Sequence, residues 1–285
     1  MTTRKNFFAL TILRKIAARL GLESQLDGAL EDLGETLRTP NLWAWMAWSD
    51  IRRRYRRTVL GPFWTTGSLA IFVGALGILY ATLWNQDVNK YLPYLTAGFT
   101  VWIFISQIIT ESCNAYVSAE GHLKQIRTPY SVFIFALILR NLIVFAHHLI
   151  VYIIIVIFFP VRIGLITLLA IPGLAFIAFN AVWLGWVFGA FGSRFRDIPQ
   201  LVASLLQVMF FITPIIWPAT LTGSSRVIFV EMNPFYHFVS IVRDPMLGIP
   251  PDPLSWLVVL GITIVGWTGG LLFFARVRQR LIYWL

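Results

Sequence analysis

Residues 131–159 read SVFIFALILRNLIVFAHHLIVYIIIVIFF, and Arg140 is the only charged side chain among them. A helix needs about 20 mostly apolar residues to cross a bilayer core, because backbone N–H and C=O groups in hydrocarbon find partners only within the helix. The stretch exceeds that length, so it predicts a span with one intruding cation. Working outward, 62–84, 163–193, 198–225 and 253–275 carry no charge, and 93–119 carries only Glu111. The pattern predicts an all-α polytopic membrane protein with six transmembrane helices, at 62–84, 93–117, 131–159, 163–192, 198–217 and 254–275.

Composition agrees with this. The chain has 285 residues, 58% apolar and 13% charged, whereas soluble domains carry roughly 25% charged residues. An ordinary soluble domain and a disordered chain are both excluded. Cys113 is the single cysteine, so no internal disulfide or cysteine metal cluster is available.

The net charge of +10 is unevenly placed. With the N-terminus cytoplasmic, inner segments hold eighteen Lys and Arg, and outer ones hold Lys90, Arg162, Arg226 and Arg243. Lys and Arg favour short cytoplasmic segments, which puts both ends inside. The apolar run from Phe7 to Leu13 is too short for a secretory signal and is broken by Thr11. Residues 1–39 therefore read as a cytoplasmic lead-in. Thr39 and Pro40 suit an N-cap and first helical position. Beyond them Leu42, Trp45, Trp48, Ile51, Tyr55 and Val59 form one face, opposite Arg52, Arg53, Arg54, Arg56 and Arg57. That predicts an amphipathic interface helix over 40–60, with Trp at headgroup depth. A cytoplasmic tail follows at 277–285.

Outside the membrane, only 218–252 is long enough to form structure. Its apolar pieces, 227–230 and 232–242, are too short to cross twice. They read as two short helices re-entering from the outer face, broken at Asn233 and Pro234, and suggest a gate.

The chemistry is sparse. No G-x-x-x-x-G-K-[ST] nucleotide-binding run and no G-x-S-x-G elbow occur. His147 and His148 are adjacent, so their directions on a helix diverge and a shared metal is not expected. No catalytic residue and no metal site are predicted. Glu111 lies roughly 10 Å and Arg140 about 14 Å from the inner membrane edge, counting 1.5 Å per residue. They form a candidate intramembrane ion pair, serving either helix register or a substrate path. Trp64, Phe72 and Tyr80 in the first span, with Phe210, Phe211 and Trp217 in the fifth, either pack or line a passage suited to sugar rings. Gly185 with Gly189, and Gly266 with Gly270, permit close helix contact. The inner loop 118–130 can hold one brief surface helix, of a size to dock a cytoplasmic partner.

Several motifs together resemble the membrane subunit of type 2 ABC exporters for polysaccharides. They are Trp48-Ser49-Asp50-Ile51-Arg52-Arg53-Arg54-Tyr55-Arg56-Arg57 followed by Leu60-Gly61-Pro62-Phe63-Trp64, then Arg194-Phe195-Arg196-Asp197-Ile198-Pro199-Gln200, Thr213-Pro214-Ile215-Ile216-Trp217, and Asn233-Pro234-Phe235-Tyr236-His237. The likeness is greatest to O-antigen permeases, with capsule and teichoic acid permeases as near relatives, and runs from about Leu42 to the C-terminus. It implies a bacterial inner-membrane homodimer working with two separate ABC ATPase subunits. Those subunits would hold ATP and Mg, leaving no cofactor in this chain. It also implies coupling through Glu120, Gly121, His122, Leu123, Lys124 and Gln125. The first and fifth spans would line a channel, and the outer segment at Asn233, Pro234, Phe235, Tyr236 and His237 would form its gate.

The substrate implied is a glycan on undecaprenyl diphosphate. Guanidinium groups bind phosphate oxygens in pairs, so Arg52, Arg53, Arg54, Arg56 and Arg57 are candidates for that diphosphate, or for anionic lipid. No nucleic-acid role is expected. A rival of another class is an intramembrane transferase on lipid-linked sugars, using His147, His148 or Glu111 as acid or base. A secondary transporter would call for internal repeats, of which none is seen, and buried ionisable relays, for which few groups are present.

Overall fold

The computed structural model describes residues 14–15, 17–18, 21–56, 58, 61, 63–219 and 230–285. Arg57, Pro62, Arg226 and the 227–229 part of the first expected outer helix lie outside the described residues. Every described element is helical: α1 (Glu23–Arg38), α2 (Pro40–Tyr55), α3 (Phe63–Leu83), α4 (Val88–Ser112), α5 (Glu120–Gln125), α6 (Tyr130–Phe158), a 3-10 turn (Leu165–Leu169) leading into α7 (Ala170–Arg194), α8 (Ile198–Ile212), α9 (Pro234–Met246) and α10 (Pro253–Trp284).

Five segments are long and apolar enough to cross a membrane: α3, α4, α6, Leu165–Arg194 and α10. The fifth expected span is the exception. α8 has 15 residues, about 22 Å at 1.5 Å per residue, short of a core of about 30 Å. It stops because Pro214 disfavours helical geometry at Thr213, whose ψ is 133°. The chain from 213 to 217 continues without helix.

Two other boundaries shift. α4 begins at Val88 rather than Pro93, because the Asp87 carboxylate caps it by accepting from the Asn89 N–H at 3.0 Å. It correspondingly ends at Ser112, and turns replace the helix expected up to 117. α10 runs on to Trp284, so the expected polar tail is a helical extension of the last span.

α4 is the axis of the bundle, 72% buried against 28–33% for the other four long helices. α3, α6, α7, α8 and α9 all pack on it. The outward faces keep apolar side chains such as Ile71, Ile157, Leu165 and Val265 exposed, as lipid-facing helices do. The glycine pairs sit where helices meet: Gly185 lies against Ile134 and Gly189 against Tyr116, while Gly266 and Gly270 straddle Trp183. Gly192 faces the Cys113 carbonyl so closely that no Cβ fits. α1 packs on the C-terminal part of α10, where Arg278 pairs with Asp32 at 3.3 Å. The N- and C-terminal helices therefore meet at one end of the bundle.

Candidate functional site

α2 has two opposed faces. Ala47 and Ile51 are buried, and Trp43 sets its ring 5.9 Å from Phe135 of α6. Asp50 and Arg54 share this inward side. Trp45 and Trp48 point the other way, 68% and 55% exposed, along the stripe that carries Arg52. The expected single apolar face of Leu42, Trp45, Trp48, Ile51 and Tyr55 is thus divided. The cause is electrostatic: Asp50 and Arg54 have charged partners on α6 and α4, which turn that side inward.

Those partners are Arg140 and Glu111. The Arg140 guanidinium, 18% exposed, donates from Nη2 to Glu111 Oε2 at 2.8 Å and from Nη1 to Asp50 Oδ2 at 2.6 Å. Glu111 also accepts from Asn141 Nδ2 at 2.8 Å and from Arg54 Nη1 at 3.2 Å. Arg53 pairs with Asp50 from the solvent side. The structure thus brings Glu111 and Arg140 together within a larger cluster of three guanidiniums and two carboxylates, joining α2, α4 and α6. Such charge-assisted bonds are stronger than neutral ones, and those of Arg140 lie where water has limited access. A cavity of about 760 Å³ opens beside them, walled by Trp45, Arg53, Thr110, Asn114 and His122 among others.

Asp50 and Asn141 escaped the sequence reading. A signal existed for Asp50, the sole acid between Glu35 and Asp87, set into a run of arginines. The arginine cluster itself separates into two kinds. Arg53 and Arg54 are engaged by carboxylates, while Arg52 and Arg56 are exposed with no side-chain partner among the described residues. A diphosphate role for Arg53 or Arg54 would have to use the guanidinium N–H groups that the acids leave open.

α5 contains the six residues expected to face a cytoplasmic partner. Only Leu123 is buried; Gly121, His122, Lys124 and Gln125 are exposed. Lys124 Nζ lies 2.6 Å from Glu120 Oε1 and holds that carboxyl below its usual range. His122 Nε2 is 3.2 Å from Thr128 Oγ1, and its ring meets Phe133 edge-on at 5.7 Å. A second cavity, about 370 Å³, separates α5 from the end of α10 and is bounded by Lys124, Arg127, Tyr130, Arg278 and Ile282. α5 therefore lies at the same end of the bundle as α1 and the α10 extension.

The aromatic candidates divide as well. Phe72 stacks on Phe99 at 4.6 Å, and Phe99 contacts Phe210 at 5.5 Å. Phe210 and Phe235 both approach Trp102, at 5.8 Å and 5.5 Å. Phe72, Phe99, Trp102 and Phe210 edge a groove of about 370 Å³ between α3, α4 and α8 that also presents Ser106, Thr110 and Gln207. Trp64 and Phe211 are exposed, Tyr80 stacks on Trp84 at 4.8 Å, and Trp217 Nε1 donates to the Phe211 carbonyl at 2.8 Å.

At the opposite end, the expected gate residues are largely buried. Asn233 caps α9 by accepting from Phe235 N–H at 3.0 Å, and its Nδ2 donates to Thr213 Oγ1 at 2.9 Å. Pro234 takes the first helical position, where its missing N–H costs nothing. Tyr236 is buried beside His237, whose ring nitrogens lie 3.0 Å from Ser255 Oγ and 2.8 Å from the Glu231 carbonyl oxygen.

Arg243, which the sequence showed only as an outer charge, is 3% exposed. It donates to Asp244 Oδ1 at 2.9 Å, to the Pro214 carbonyl at 2.8 Å and to Tyr94 Oη at 3.0 Å. Tyr94 in turn donates to the Pro214 carbonyl at 2.8 Å, and Tyr91 to the Ile216 carbonyl. Side chains from α4 and α9 thus supply partners to the 213–217 carbonyls that left the helix, as buried backbone requires.

The histidine pair offers no convergent chemistry. His147 Nδ1 lies 2.7 Å from the Ile143 carbonyl of its own helix, while His148 is buried. Among the described residues no three metal-binding side chains gather.

The sequence model of the ABC-2 type transporter family matches residues 41–247. The O-antigen export system permease protein RfbA of Myxococcus xanthus is 23% identical over 243 residues, covering 80% of this chain and 89% of the relative. A protein of the same name from Klebsiella pneumoniae is 22% identical over 226 residues, with 76% and 86% covered.

Proposed function

The chain belongs to the ABC-2 type transporter family, and from that premise we propose that it is the membrane subunit of an ATP-driven exporter of undecaprenyl diphosphate-linked polysaccharide, of the O-antigen kind, in the bacterial inner membrane. The family implies an ABC ATPase partner and dimeric assembly. Since the sequence has no G-x-x-x-x-G-K-[ST] run, ATP and Mg belong to two partner subunits, which engage α5.

The end of the bundle that gathers α1, α5 and the α10 extension is basic and faces the cytoplasm. Because the two terminal helices share that end, the number of crossings is even. α8 with its irregular continuation to Trp217 supplies the sixth, and α9 re-enters from the outer side to close the passage. Two copies face each other through α3 and α8. Arg52 and Arg56 on the outward stripe of α2 meet the lipid diphosphate first.

The observation that carries this reading is the aromatic groove between α3, α4 and α8. Flat apolar rings interspersed with Ser106, Thr110 and Gln207 suit sugar rings, which have one apolar face and a rim of hydroxyls. The test is reconstitution in vesicles with a partner ABC ATPase, following movement of lipid-linked glycan. Export that needs both ATP and the partner is expected. Movement without ATP, or chemical turnover of the glycan by this chain alone, refutes the assignment. A panel of O-antigen, capsule and teichoic acid precursors separates the three substrate classes.

A further inference from the structure

The family match begins at residue 41, so α1 lies outside what the family accounts for. Its central acid is nonetheless the most enclosed charge at that end of the bundle. Asp32 is 0% exposed. Its Oδ2 accepts from the Tyr130 N–H at 2.8 Å and its Oδ1 from the Ser131 N–H at 3.0 Å. Arg278 Nε of α10 reaches Oδ2 at 3.3 Å.

Tyr130 and Ser131 are the first two residues of α6, whose N–H groups have no acceptor within the helix. The residue preceding them, Pro129, has no side-chain oxygen to cap it. The cap therefore comes from another helix, and the charge of the carboxylate suits both the free N–H groups and the positive end of the helix dipole. The same point draws in α7, because Ser131 Oγ accepts from Trp186 Nε1 at 3.0 Å. Four helices are fastened together directly after the segment that carries α5.

We infer that Asp32 is a positioning residue for α5, on the premise that α5 is where the ATPase engages. With Tyr130 fixed to α1 and α10, a displacement of α5 is transmitted to α6 and α10 together. Without that fixture it is taken up in the 126–129 connection.

The test uses the full chain assembled with its partner ATPase in vesicles, comparing Asp32→Asn and Asp32→Ala per mole of assembled complex. In Asp32→Ala, glycan exported per ATP is expected to fall about fivefold, the factor equivalent to losing one cap, while ATP turnover stays within about twofold. Asp32→Asn keeps one acceptor oxygen and is expected to fall about twofold. A nitroxide on Gln125→Cys reports the mobility of α5 with no glycan present and should loosen in the same order. Export per ATP equal to the parent in both variants, or reduced only in step with ATP turnover, overturns the inference. Unchanged nitroxide mobility does so too. If Asp32→Ala does not assemble, Arg278→Gln keeps the cap, removes the clasp and is read by the same two measurements. A parent complex that exports no glycan refutes the exporter assignment, and the nitroxide comparison still decides the role of Asp32.

Discussion

Removing Arg140 from the inner cluster should destabilise the protein more than removing its partner's charge, and the two changes should not add. The three interacting side chains are shielded, with Arg140 18%, Glu111 22% and Asp50 30% exposed. Arg140→Met strips Glu111 and Asp50 of their shared partner. Breaking one side of a buried ion pair typically costs about 3 to 5 kcal/mol. Here Arg54 and Asn141 still hold Glu111 and Arg53 still holds Asp50, so the low end, about 3 kcal/mol, applies. Glu111→Gln keeps one oxygen to accept from Arg140 and Asn141, loses the charge and turns an amide NH2 toward Arg54, which is half-exposed and can swing into water, a cost of about 1.5 kcal/mol. In the double variant there is no carboxylate at 111 to lose its Arg140 partner, so the sum of about 4.5 kcal/mol should contract to about 3 kcal/mol. Thermal unfolding in lipid nanodiscs, at about 2 to 4 °C per kcal/mol for a chain approaching this size, resolves the difference. A double variant additive within about 0.5 kcal/mol refutes the coupling.

Gly192→Ala places a Cβ against the rigid Cys113 carbonyl and should cost about 2 to 3 kcal/mol of stability by the same melt, whereas Gly67→Ala, with open space around it, should be neutral or slightly stabilising. Tyr94→Phe removes the hydroxyl that bonds the Pro214 and Trp217 carbonyls and receives Arg243; about 1 to 3 kcal/mol of local stability should be lost, seen as faster amide exchange confined to 213–219. Unchanged exchange there would show that Arg243 and Tyr91 hold the segment unaided.

The ion cluster shows where sequence reasoning reached and where it stopped. Depth counting along two spans placed Glu111 and Arg140 near one level, although the count for Glu111 ran through 113–117, where the structure has turns in place of helix. It had no means of adding Asp50, since the rotation of α2 about its own axis depends on what neighbouring helices offer. The apolar periodicity of α2 was ambiguous between a lipid-facing and a protein-facing side. Two charged partners settled it by drawing Asp50 and Arg54 inward and leaving Trp45 and Trp48 outside. Arg243 is a similar case: its residue type and loop position indicate an exposed outer cation, yet irregular backbone at 213–217 needed donors and α9 supplied one.

What the amino-acid order determined by itself was the set of long apolar segments, the concentration of Lys and Arg in alternate inter-span segments, the absence of a nucleotide-binding run and the break at Asn233 and Pro234. These follow from local rules: the length of backbone that hydrocarbon forces into helix, the preference of Lys and Arg for one membrane face, and the missing N–H of proline. Tertiary structure alone decided that Asp32 caps a helix 98 residues away and that the arginines of α2 divide between the acid-paired Arg53 and Arg54 and the exposed Arg52. Each of those depends on which partners lie within hydrogen-bonding reach across helices, a distance that no periodicity along the chain encodes.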